Sequence, residues 1–131
     1  MINVKNAMFT TLKNEIKDIC PNLGSVESDT PPGLPYISFI QRDNPPYKGS
    51  MDSGSKENHV QPMIQIDVYT SKTNDTMYHA ETIADKADEI MQKYGWERIF
   101  GPQPITTNYF RVTMRYQGIV RKNGTNDYTV I

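Results

Sequence analysis

Residues 63–70 read MIQIDVYT, and residues 109–121 read YFRVTMRYQGIVR. Apolar and polar side chains alternate in both, the period of a strand with one face on a core. Between them, residues 75–94 bring Ala80, Ile83, Ala84, Ala87, Ile90, Met91 and Tyr94 to helical spacing. The order strand, amphipathic helix, strand predicts a helix packed on an antiparallel sheet. Ile64, Ile66 and Val68 take the core face, and Gln65, Asp67 and Tyr69 the other. In the last strand Phe110, Val112, Met114, Tyr116 and Val120 oppose Arg111, Thr113, Arg115, Gln117 and Arg121. Three alanines on the helix allow a close approach to the sheet. Asn74 is the expected N-cap and Gly95 the expected stop.

Upstream, Val4, Ala7, Met8, Leu12, Ile16 and Ile19 predict a first helix over 3–19, with Asn3 as N-cap and Pro21 as terminator. A short strand is expected over 23–28 around Val26, then a stiff proline bend, then a clear strand over 36–42. Residues 43–58, rich in Pro, Gly and Ser, read as a long loop whose apolar content is nearly confined to Tyr47 and Met51. Downstream, residues 96–100 suggest a short strand, Gly101, Pro102 and Pro104 a turn, and Asn123-Gly124 a tight turn before a last strand at 128–131. The expected fold class is α+β, one domain over 1–131, with a mainly antiparallel sheet and two amphipathic helices packed on one face.

The chain has 131 residues, 37% of them hydrophobic, and a mean hydropathy of −0.63, which suits a soluble domain with a polar surface. Seven Met and eight Tyr either fill a core short of Leu or serve an adaptable contact surface. A net charge of −1 gives no global field to recruit nucleic acid or an anionic membrane. Charge is nevertheless segregated. Arg111 to Lys122 is basic, and Asp75 to Glu89 is acidic apart from Lys86. The lone Cys20 excludes an internal disulfide and reads as a small buried hydrophobe in a reducing cytoplasm. No apolar run approaches membrane-span length, and no signal-peptide core precedes Phe9.

No catalytic constellation is legible. His59, His79 and Cys20 lack ligand spacing, and there is no nucleophile elbow or phosphate loop. Neither cofactor nor metal is expected, and the chain does not read as an enzyme. Asp67 resembles a buried catalytic carboxylate, yet alternation gives it the face opposite the core, so a solvated or interface position is expected. Glu81, Asp85, Asp88 and Glu89 share one side of the second helix, as a solvated face would. Arg111, Arg115 and Arg121 form a comb on one strand face. Arginine's planar fork suits a partner's carboxylates. Solvent and phosphate contact compete with that reading, the latter without interleaved aromatics on the same face.

The order of these elements resembles a family. LPYISF at 34–39, the long polar loop, IQIDVYT at 64–70, the helix AETIADKADEIM at 80–91 and RVTMRYQGIV at 111–120 together look like the tail-completion, or tail-terminator, proteins of long-tailed bacteriophages and prophages. The resemblance covers nearly the whole chain and rests on residue types in order. It implies an α+β subunit in a hexameric ring that caps the tail tube and joins the tail to the head connector. DNA passes through the lumen without sequence-specific binding. Tail tube protein and connector or stopper protein are the implied partners. The implied location is the neck of the virion, after assembly in the host cytoplasm. In such a ring the acidic face of Glu81, Asp85, Asp88 and Glu89 would meet the basic strand of the next copy, and loop 43–58, through Tyr47 and Met51, would dock on the tube or connector. Another neck-ring component is the nearest alternative. From other classes, a small-molecule-binding or enzymatic domain predicts a deep pocket with convergent polar groups and perturbed carboxylates around Asp67 or Asp85, and a nucleic-acid module predicts steeply salt-dependent binding.

Overall fold

In a computed structural model, residues 5–24, 33–43, 59–122 and 128–130 are described, the side chains of His59, Arg121, Lys122 and 128–130 excepted. The elements are α1 (Lys5–Ile16), β1 (Asn22–Gly24), β2 (Tyr36–Asp43), β3 (His59–Val60), β4 (Met63–Ser71), α2 (Met77–Lys93), β5 (Glu97–Thr106), β6 (Tyr109–Gln117), β7 (Val120–Lys122) and β8 (Tyr128–Val130). Five strands form one sheet in the order β1-β2-β4-β6-β5, antiparallel except for the β1–β2 pair. A second sheet runs β3-β7-β8. The fold class is therefore α+β, as the alternation and helical periods imply.

Both helices lie on the face that carries Ile37, Phe39, Ile64, Ile66, Val68, Val112, Met114 and Tyr116, all buried. Helix α2 buries Ala80, Ile83, Ala84, Ala87, Ile90 and Met91, the expected stripe without Tyr94, which stays partly exposed. Its N-cap is Thr76, in extended conformation, whose hydroxyl accepts from the His79 amide. Asn74, the expected cap, instead donates its amide to Ser71 Oγ. Gly95 takes φ +92 after the last turn, as a helix stop requires. Helix α1 is shorter than its apolar pattern. Met8, Leu12 and Ile16 are buried, whereas Ala7 and Ile19 are exposed, and Asn3 and Val4 lie outside the described residues. Val26 and Asn123-Gly124 also lie outside them, and so does all but Asp43 of the 43–58 loop.

Two sequence expectations are corrected by one bend. The strands expected over 60–70 and 108–121 both break, at Gln61-Pro62 and at the facing Gly118-Ile119. They resume as β3 and β7, with Val60 paired to Val120. Proline cannot donate to the ladder, so the break falls where it stands. Arg121 thus sits on β7 in the second sheet, not in one comb with Arg111 and Arg115.

A third correction concerns β5. The expected turn at Gly101, Pro102 and Pro104 runs through a ten-residue edge strand whose register shifts between Arg98 and Phe100 and between Phe100 and Gln103. Gly101 has φ +83, and a Cβ there would lie 2.2 Å from the Thr113 carbonyl oxygen. Only glycine meets both demands. Gly101→Ala is expected to destabilise the fold by about 2–3 kcal/mol in chemical denaturation, from left-handed backbone strain and the clash.

The helices are clasped at their ends. Lys93 Nζ donates to Glu15 Oε1 at 2.8 Å, and the Tyr94 hydroxyl donates to Glu15 Oε2. The bond from Lys93 first, then that from Tyr94, holds the Glu15 carboxyl below its ordinary value of 4.5. The unfolded chain therefore binds this proton more readily than the folded one. The clasp's contribution is full above 4.5 and is lost as pH falls through the lower folded value. Thermal melts of Glu15→Gln and the parent should differ near neutral pH and converge as pH drops below 4.5.

Candidate functional site

The sheet face away from the helices is polar, and register explains its layout. Tyr36, Tyr69 and Arg111 form one cross-strand row, Ser38, Asp67 and Thr113 the next, and Ile40, Gln65, Arg115 and Phe100 a third. Asp67 is 0% exposed at the centre. Its Oδ1 accepts from Thr113 Oγ1 at 2.6 Å and from Arg111 Nε at 3.1 Å, and its Oδ2 accepts from Gln65 Nε2 at 2.9 Å. Gln65 Oε1 accepts in turn from Arg42 Nε at 3.0 Å and Arg115 Nε at 3.1 Å. Burying a carboxylate is costly unless such donors replace its water.

Aromatic rings line the same face. Tyr69 lies 6.0 Å from the ring of Tyr36 and 6.4 Å from that of Tyr109. The guanidinium of Arg111 stacks 5.5 Å from the Tyr69 centroid, and that of Arg115 lies 5.3 Å from Phe100. Burial pushes the Tyr36 hydroxyl above its ordinary range.

The solvated or interface position expected for Asp67 is therefore overturned, and Gln65 and Tyr69 are buried with it. Alternation placed all three on the correct face. Their burial comes from the rows of neighbours, which a single strand does not reveal. Arg42 was missed. The same parity that sets Ser38 beside Asp67 carries it to Gln65 and was the available signal.

The structure divides the other candidate residues. Arg111 is committed to Asp67 within the chain, while Arg115 is exposed and has only the neutral Gln65 and the Phe100 ring as partners among the described residues. Asp88 is committed too. Its Oδ1 accepts from the Tyr116 hydroxyl at 2.7 Å, and its Oδ2 accepts from Gln92 at 2.7 Å and pairs with Arg98 at 2.9 Å. Burial, and then this bond, push the Tyr116 hydroxyl far above its ordinary range. Glu89 faces Lys86 at 3.9 Å. Glu81 and Asp85 are exposed, without ion-pair partners among the described residues, and line a shallow depression with Pro102, Pro104 and Val112. Tyr47 and Met51 lie outside the described residues.

Cys20 is buried, and burial pushes its thiol up to about 11, which keeps it a protonated, unreactive thiol at neutral pH. Among the described residues no three of His, Cys, Asp and Glu cluster as a metal site, and no helix is long and apolar enough to cross a membrane. The chain matches no protein-family model, and comparison with curated proteins finds none significantly similar.

The network around Asp67 makes a sharp prediction. Asp67→Ala strands Thr113 and Gln65 and leaves Arg111 beside an apolar gap, so a loss of about 3 kcal/mol is expected in urea unfolding. Asp67→Asn keeps the shape and should cost less than Asp67→Ala.

Proposed function

We propose that this chain is a structural subunit of a phage or prophage neck: a tail-completion protein that forms a ring on the end of the tail tube and joins it to the head connector. The reading starts from the family resemblance in the order of elements. The observation that supports it best is the charge on the two outer flanks of the helix layer. Lys13 on α1 and Lys17, in the turn just after it, lie on the flank opposite Glu15, which reaches α2. They are exposed and have no ion-pair partner among the described residues. On α2, Glu81 and Asp85 lie on the flank beside β5, away from α1. One flank of the helix layer thus offers two lysines, beside Asp18, and the other two carboxylates, none of the four in an ion pair among the described residues.

A closed ring joins each copy to the next through two different surfaces. Opposite charge on those surfaces steers the contact and fixes its polarity. This pairing replaces the contact between arginine strand and acidic helix, because Arg111 and Asp88 are already paired within the chain. In the proposed ring DNA passes through the lumen without sequence readout, and particles assemble in the host cytoplasm. Another ring of the head–tail neck would use the same surfaces.

Light scattering over a range of protein concentration, with and without purified tail tubes, tests the reading. A mass several times the 15.0 kDa of the chain, alone or only on tubes, is expected. A strict monomer that ignores tubes rejects it.

A further inference from the structure

Of the six large hydrophobic side chains exposed among the described residues, Tyr78 and Tyr94 belong to α2 and its C-cap, and the other four lie at the two lateral edges of the five-stranded sheet. Ile19 (39% exposed) precedes β1, and Leu34 (36%) precedes β2 where Tyr36 pairs with Asn22. Ile99 (44%) and Phe100 (43%) lie on β5, the opposite edge. An exposed strand edge carrying apolar side chains is a template for another strand.

The edges match in direction and length. β1 runs parallel to β2, β2 and β6 are both antiparallel to β4, and β5 is antiparallel to β6. β1 and β5 therefore run in opposite senses. When copies are arranged about an axis roughly along the strands, β5 of one copy meets β1 of the next antiparallel. Pro102 and Pro104 remove donors from the second half of β5, which leaves Glu97–Phe100 able to pair, against the three residues Asn22–Gly24 of β1. The flanking charges agree with this side-by-side placement: Glu81 and Asp85 border β5, and Lys13 and Lys17 lie on the opposite flank of the helix layer, on the side of α1 turned away from α2.

We infer that the occupant of the β5 edge is a second copy of this chain. Residues 97–100 add β1 of the neighbour as an antiparallel strand, and Ile99 and Phe100 pack on the neighbour's Ile19 and Leu34. The sheet then continues from subunit to subunit, head to tail. This rests on the ring reading above and specifies its junction.

Ile99→Asp and Ile19→Asp test it, with Thr82→Asp as an exposed control on α2, on the stripe of Lys86 and not on that of Glu81 and Asp85 beside β5. All three positions are exposed, so circular dichroism should report native folds. Each edge variant alone should raise the concentration at which half the protein is assembled by about tenfold or more, and Thr82→Asp should not. Mixed together, the two edge variants retain one intact junction per pair, so cross-linking should trap a mixed dimer that grows no further. If the parent forms rings and either edge variant assembles equally well, the junction is wrong and the ring reading survives. If Ile19→Asp alone still dimerises, β5 pairs with β5 about a twofold axis and the head-to-tail junction is overturned. A parent that stays monomeric even on tail tubes overturns both.

Discussion

The carboxylate of Asp67 sits in the middle strand with no exposure, and the polar face is arranged around it. Thr113 and Arg111 satisfy one oxygen and Gln65 the other, while Gln65 in turn holds Arg42 and Arg115. These donors come from β2, β4 and β6, so the network fixes register across three strands. A slip of one residue in any of them would turn the donors to the apolar face and leave the carboxylate unpaired. Replacing the carboxylate and its donors together with apolar residues of similar volume need not weaken such a sheet. What the carboxylate supplies is a single acceptable alignment, on a face that no helix covers among the described residues.

The apolar face was legible in the sequence because its signals are local. Period 2 in 63–70 and period 3.6 in α2 each name the residues that must leave water, and the buried stripe follows them except at Tyr94. The polar face was not legible to the same depth. Alternation assigns Asp67 to a face, but whether that face is wet depends on which strands lie beside it. The β2-β4-β6-β5 order, which brings Tyr and Arg side chains across it, is a non-local property. The break at Pro62 was obscure for a related reason. One proline in an apolar run is weak punctuation, and it becomes decisive only with Gly118 facing it across the ladder.

β5 shows how a sound local rule meets a tertiary exception. Gly-Pro-x-Pro reads as a turn because glycine reaches positive φ and proline lacks a donor. At a sheet edge both properties are tolerated. Gly101 takes up the register shift against Thr113, and the missing donors of Pro102 and Pro104 cost nothing where no strand follows among the described residues. The same prolines blunt half the edge, a common protection against uncontrolled strand addition. The sticky part of β5 is thereby confined to a few residues.

A short edge has a consequence for how a ring would form. A junction of three or four residue pairs, with two apolar contacts and a screened charge flank, is weak when made once. An open chain of copies gains one junction per added subunit, whereas the closing subunit gains a second at high effective concentration. Weak junctions therefore favour complete rings over fragments, and favour rings most where a template already holds the subunits side by side. Strong, long edges would reverse this and let copies polymerise wherever they met. In the proposed ring, the proline-limited β5 and the polar face built around the paired Asp67 act together. One keeps each lateral contact small, and the other keeps the broad faces from competing with it.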